Sequence, residues 1–172
     1  MNDEINISAL DAEIRSEAEA LAKLLTERGL FVTTAESLTG GMISSSLVDI
    51  PGSSNWFSDG FVTYSNEAKI KRLNVDAETI SRETAVSAPV ARMMAAGALK
   101  QSGADFAVAV TGLAGPGPDD LGREAGLVYI GIAFRGGCAS RKYSFSGSRL
   151  DIRKKTNREA LILLKTMVQI LS

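Results

Sequence analysis

The chain has no histidine and only one cysteine, and these two scarcities remove the commonest routes to catalysis. Without histidine there is no Ser-His-carboxylate triad and no imidazole to ligate zinc. A lone Cys138 excludes an internal disulfide and any multi-cysteine metal cluster. It follows Gly136-Gly137 at an expected hairpin turn, and reads as a structural residue rather than a nucleophile. A hard cation held by carboxylates is the one metal option left, and no Asp/Glu spacing specifies such a site. An excess charge of either sign is also missing. Nineteen Lys and Arg against twenty Asp and Glu leave a net charge of −1, so no overall field recruits nucleic acid. The short run Arg153-Lys154-Lys155 reads as a solvated helix face. No apolar run approaches the roughly 20 residues that span a bilayer. Met1-Asn2-Asp3-Glu4 is polar and acidic, unlike the basic-then-apolar start of a signal peptide. The expectation is a cytoplasmic protein with no membrane partner and no stable nucleic-acid partner.

What is present fits one domain over residues 1–172, since 45% hydrophobic residues can build a single core at this length. Ser8-Ala9-Leu10-Asp11 has the form of a capping box, and Leu10, Ile14, Leu21, Leu24 and Leu25 recur at helical spacing up to Gly29. The β-branched and apolar run Leu30–Ala35 predicts a strand directly afterwards. Helix is expected over Met42–Val48, strand over Phe57–Tyr64, a short helix over Asn66–Leu73 and a further turn or two over Asp76–Ser81. Ser87-Ala88-Pro89 suits the start of a helix that Gly103 ends. Phe106–Val110 is a near-continuous apolar strand, as in a sheet covered on both faces. Residues 112–126 form a Gly/Pro-rich loop, and two strands then flank Gly136-Gly137. Ser148 with Asp151 opens the last helix. The pattern predicts a three-layer α/β/α sandwich on a mixed sheet, parallel in its early strands and ending in a hairpin.

Four stretches could carry chemistry. In Glu36-Ser37-Leu38-Thr39-Gly40-Gly41 a hydroxyl sits where a strand turns into a helix, beside amides that could stabilise an oxyanion, with glycines that let a ligand approach the backbone. Ser37 or Thr39 would serve equally well as a helix N-cap. Tyr64-Ser65-Asn66-Glu67-Ala68-Lys69 supplies a phenol and an amine. With no histidine available, lysine is the leading base for a serine, but it titrates near 10.4 and needs burial to reach neutrality near pH 7. Lys71 and Arg72 would push the same way if near, Tyr64 could relay a proton or orient the amine, and the plain alternative is a surface lysine. The loop Thr111-Gly112-Leu113-Ala114-Gly115-Pro116-Gly117-Pro118 could border the same cleft beyond the strand ends, or simply connect two strands. Ser146-Gly147-Ser148-Arg149 could capture a phosphate, and an arginine at the positive end of a helix hints at an anionic ligand.

Taken in order, these stretches resemble the CinA C-terminal domain family. The most specific parts are Thr34–Gly41 and Phe61–Lys69, joined by Thr111–Pro116 and Phe145–Arg149, and the resemblance runs from about Val32 to the final helix. Enzymatic members of that family are nicotinamide-nucleotide amidases, which convert nicotinamide mononucleotide (NMN) to nicotinate mononucleotide and ammonia. The resemblance implies Ser37 as nucleophile, Lys69 as base and Tyr64 as assisting phenol, with no metal or organic cofactor. It implies substrate contacts from Glu36, Thr39, Gly40 and Gly41, from Asn66, and from Thr111, Gly112, Gly115 and Arg149. A catalytically silent nucleotide-binding or regulatory module linked to competence or DNA damage is the alternative. So small an enzyme is expected to form a homo-oligomer. Two departures stand out: Leu38 occupies a position that is cysteine in many relatives, and Asp119–Gly126 replaces a loop that often carries Lys-Pro-Val-Gly. Arg123 is the cation that could stand in for that lysine.

Overall fold

Five short runs of β-branched and apolar residues pair into one sheet in the order β2-β1-β3-β4-β5. The computed structural model describes the backbone from Asn2 to Ser172 and the side chains from Ala9 onward. Strands β1 (Val32–Glu36), β2 (Phe57–Val62) and β3 (Phe106–Gly112) run parallel, while β4 (Leu127–Phe134) and β5 (Gly137–Ser144) continue the sheet antiparallel. Among the described residues six α-helices cover it: α1 (Asn2–Arg28), α2 (Met42–Val48), α3 (Asn66–Leu73), α4 (Ala77–Glu83), α5 (Ala88–Ser102) and α6 (Arg149–Leu171). This is the mixed α/β architecture the sequence pattern predicts.

The alternation of side chains along β3 explains the three layers. Phe106, Val108 and Val110 join Val32, Val128, Ile130 and Ile132 in a core built against α1, α2 and α6. Ala107 and Ala109 point the other way and meet α5 together with Ala35 and Ala133. Small residues on that face let α5 lie close to the sheet. A Cβ at Gly131 would fall 2.2 Å from the Ala91 carbonyl oxygen, and one at Gly97 would fall 2.0 Å from the Leu73 carbonyl oxygen. The second of these approaches fixes α3, and therefore Lys69, against α5.

Local signals account for most boundaries. Ser148 and Asp151 form the expected capping box at the start of α6. The β4–β5 turn is Arg135-Gly136, with Gly136 at φ 114°, where a side chain would be strained. Helix α1 already runs through Ser8, so that residue is not where the helix begins, and its side chain lies outside the described residues, as do those of Met1–Glu4. Ser87 does sit at the N-cap of α5, but its hydroxyl donates back to the Thr84 carbonyl instead of capping an amide. Among the described residues no helix is long and apolar enough to cross a membrane.

Candidate active site

The same alternation sorts the residues at the carboxyl end of β1. Val32 joins the α1/α2/α6 core, Thr34 bonds Ser44 of α2, and Glu36 follows on that face. Ala35 packs on the α5 side, and Ser37 follows it there. Lys69 reaches Ser37 from α3. It shares a helix face with Leu73, four residues on, and both are 1% exposed. The Lys69 amine lies 3.0 Å from Ser37 Oγ, 2.7 Å from the Thr63 carbonyl oxygen and 3.2 Å from that of Tyr64. Burial lowers its pKa from 10.5 to about 8. Lys71 and Arg72 are exposed and are not part of that cause.

Those contacts have a direct chemical reading. A neutral primary amine has two N–H donors and one lone pair. Two carbonyl acceptors on one side leave the lone pair for the third direction, and the third neighbour is the Ser37 hydroxyl. Lys69 is thus oriented by main-chain oxygens of the chain that leads into its own helix.

The dyad forms part of the wall of a cavity of about 350 Å³. Thr111, Gly112 and the Ala114–Pro118 loop line a second wall, Ala85 and Val86 a third, and Tyr64, Asn66 and Arg149 also border it. Thr111 lies on the Ser37 face of the sheet, buried, with its hydroxyl donating 2.8 Å to the Ala85 carbonyl. Arg149 bridges the entrance, its guanidinium 2.7 Å from the Gly115 carbonyl and 3.1 Å from the Tyr64 phenol oxygen. Asp119 is the one carboxylate bordering the cavity among the described residues, and it is already paired with Arg123. The arrangement offers an activated hydroxyl at depth and a cation at the mouth, which suits attack on a carbonyl carbon of an anionic molecule.

Comparison with known proteins shows the family and the fold. A family model described as the CinA C-terminal domain matches residues 14–168. The chain belongs to the CinA C-terminal domain family. A Caldicellulosiruptor saccharolyticus protein described as competence-damage inducible is 46% identical over 151 residues, which cover 87% of this chain but 37% of that relative. The chain therefore spans little more than a third of such curated relatives. The crystal structure of competence damage-inducible protein A from Klebsiella pneumoniae superposes with a TM-score of 0.90 at 34% identity, covering 92% of this chain and 99% of that one. The Agrobacterium tumefaciens protein CihA superposes at 0.87 with 42% identity, covering 90% and 95%.

Within this CinA domain, Ser37, Lys69, Tyr64, Asn66, Thr111, Gly112, Gly115 and Arg149 all border one cavity, whereas Glu36, Thr39, Gly40 and Gly41 do not. Glu36 is fully buried on the opposite face of β1. Its carboxylate accepts from the amides of Gly41, Ile43 and Ser44 and from the Ser44 hydroxyl. The amides at the start of α2, expected to face a substrate, are occupied by that side chain. Tyr64 borders the cavity and meets Lys69 through its carbonyl, while its phenol, on a residue 62% exposed, is hydrogen-bonded to Arg149. The capping box takes up the Ser148 hydroxyl and amide, so that stretch offers no open phosphate cradle. Arg123 is not a free cation, since it bonds Asp119, the Thr84 hydroxyl and the Val86 carbonyl. Finally, Arg153-Lys154-Lys155 is not a solvated face. Arg153 bonds the Leu38 and Thr39 carbonyls, Lys154 pairs with Asp11, and Lys155 bonds the Ser146 carbonyl. The contact of Arg153 with the turn after Ser37 was hidden from the sequence, and its place four residues after Arg149, on the same helix face, was the available signal.

Proposed function

We propose that this CinA domain is an amidase that hydrolyses the carboxamide of NMN to nicotinate mononucleotide and ammonia, with Ser37 as nucleophile and Lys69 as base. The observation that carries the reading is the buried contact of 3.0 Å between the Lys69 amine and Ser37 Oγ, in a setting that lowers the amine to about 8. Neutral Lys69 takes the Ser37 proton and the oxygen attacks the carboxamide carbon. The resulting tetrahedral intermediate collapses as the Lys69 ammonium gives its proton to departing ammonia. A water then attacks the ester, with Lys69 again taking a proton and returning it to Ser37. No step calls for a metal or an organic cofactor.

Two features favour a nucleotide amide over a simple one. Arg149 lies at the mouth of the cavity, where a 5′-phosphate would meet a cation, and the Gly115–Gly117 backbone beside it gives an anion close access. The cavity of about 350 Å³ falls in the range of small-molecule sites.

The test is release of ammonia and nicotinate mononucleotide from NMN by purified protein. Ser37→Ala is expected to lower turnover by at least about 1,000-fold while the protein still binds NMN. Full turnover in that variant rejects Ser37 as nucleophile. Binding without turnover in the unaltered protein supports the regulatory nucleotide-binding module instead.

A further inference from the structure

Two walls of the cavity are neither helix nor strand. Ala85 and Val86 lie between the end of α4 at Glu83 and the start of α5 at Ala88, and the other wall belongs to the loop that joins β3 to β4. Such segments keep one shape only where their polar groups are held. Three successive carbonyls fix the first wall. That of Thr84 accepts from the Ser87 hydroxyl at 2.9 Å, that of Ala85 from the Thr111 hydroxyl at 2.8 Å, and that of Val86 from Arg123 Nη1 at 3.0 Å.

The loop is closed at its base, where the Leu113 amide donates 2.9 Å to the Leu127 carbonyl and the Gly126 amide 2.6 Å to the Leu113 carbonyl. At its tip Asp119 and Arg123 make a tight turn. The Asp119 carboxylate accepts from the Leu121 and Arg123 amides, and from Arg123 Nε and Nη2 at 2.8 and 2.6 Å. Nη1 of the same guanidinium reaches the Thr84 hydroxyl at 2.9 Å as well as the Val86 carbonyl. Among the described residues this is the only hydrogen-bonded link between the loop tip and the Ala85–Val86 wall. Both Nη1 hydrogens are spent on it, and Arg123 does not itself border the cavity. It therefore acts on a bound molecule through the walls it holds.

The surfaces so joined are small and apolar, Ala85 and Val86 on one wall and Ala114, Pro116 and Pro118 on the other. Side chains of this kind suit the faces of a flat ring. We infer that Arg123 is a positioning residue that sets the spacing of these two walls, and that the spacing selects acyl groups borne on a flat heteroaromatic ring over small acyl groups. This rests on the reading of Ser37 as an acyl-transfer nucleophile. A misplacement of about 1 Å between reacting groups costs on the order of 100-fold in rate. Slack in the brace therefore falls on ring-borne acyl groups, which reach both walls, and spares an acetyl group, which is too small to span them.

Two esters with one leaving group, p-nitrophenyl nicotinate and p-nitrophenyl acetate, read this selection without NMN. With each, Ser37 Oγ bonds to the acyl carbon, its proton passes to Lys69 and nitrophenolate departs. Nitrophenolate release gives the rate, and mass locates the acyl group on Ser37. The unaltered protein, Arg123→Met, Asp119→Ala and the double variant are compared, with NMN turnover measured alongside. The ratio of nicotinoylation to acetylation rates should fall by at least about tenfold in each variant, with acetylation itself within about threefold. Retained acetylation shows that the dyad and the fold are intact. The kcat/KM for NMN should fall with the ratio. Asp119→Ala leaves the Arg123 charge in place and removes its anchor, and the double variant should lose no more than either single one, because one brace is broken in all three. An unchanged ratio in Arg123→Met overturns the inference, as does an equal loss of both acylations or an additive loss in the double variant. Acylation of the unaltered protein without NMN turnover rejects the nucleotide substrate, while the ratio still decides the role of Arg123. No acylation by either ester rejects Ser37 as nucleophile and this inference with it.

Discussion

The base role proposed for Lys69 requires an uncharged amine, and the surroundings bear on that balance in two ways. Burial destabilises the ammonium and lowers the group to about 8, while the Thr63 and Tyr64 carbonyls accept two of its hydrogens in either protonation state. The base form therefore accumulates as pH rises through about 8. The log of kcat/KM for NMN should climb with slope near one below pH 8 and level off above it, since this quantity follows the free enzyme. Lys69→Arg should be inactive throughout, because a guanidinium does not deprotonate in this range. A flat profile from pH 6 to 9 would remove Lys69 as the base. The Ser37–Lys69 pairing was legible in the sequence, because two motifs and an absent histidine leave few other bases. The place of Glu36 was not read correctly, and the contact of the Tyr64 carbonyl with Lys69 was not foreseen. Alternation along β1 sends Glu36 to the opposite face from Ser37, a signal present in the sequence but overridden by the motif. For Tyr64 the atom that meets Lys69 is a main-chain oxygen, which no side-chain pattern reports.

At the level of elements, the cavity owes one wall to a strained connection. Thr84, between α4 and α5, has φ 68° and ψ 162°, a region that is open to glycine and costly for a β-branched residue. Three bonds hold it there: Arg123 donates 2.9 Å to its hydroxyl, that hydroxyl donates 3.3 Å to the Val86 carbonyl, and Ser87 donates 2.9 Å to its own carbonyl. Arg123 also grips Asp119, so the 113–126 loop and the Ala85–Val86 wall are fastened to each other across the cavity. The strain can be isolated by comparing two substitutions that both delete the Thr84 hydroxyl. Thr84→Ala keeps the unfavourable backbone and Thr84→Gly relieves it. Denaturant unfolding should find the glycine protein more stable than the alanine protein by about 1–2 kcal/mol, even though glycine elsewhere costs stability. The reverse order would mean that the Thr84 backbone is relaxed. The helices and strands around this link were readable from periodicity and caps. The link itself was not, because nothing in Glu83-Thr84-Ala85 signals a positive φ, and Arg123 looked available until its partners on another segment were seen.

For the molecule as a whole, the layers followed from patterns that run the length of the chain. A continuous apolar β3 demanded cover on both faces, and helical connections between the parallel strands set that half of the sheet apart from the hairpin half. The sequence left open whether Lys69 is buried or on the surface; the fold buries it, and its charge opposes folding. Lys69 titrates at about 8 when folded and near 10.5 when unfolded, so below pH 8 both states are protonated and the full cost of burying an ammonium is present. Between those values the unfolded chain binds more protons than the folded one, and stability must rise with pH; above 10.5 the gain is complete. From pH 7.5 to 10 the gain from this one group is about 2 kcal/mol. Other groups titrate over the same range, so the decisive quantity is the difference between the unaltered protein and Lys69→Met, each unfolded in denaturant at both values. The unaltered protein should gain about 2 kcal/mol on the variant across that interval. Parallel behaviour would mean that Lys69 keeps an ordinary affinity for its proton inside the fold. An amine with that affinity would be charged almost all of the time at neutral pH and unable to take the proton from Ser37, so a measurement of stability alone can defeat the catalytic reading.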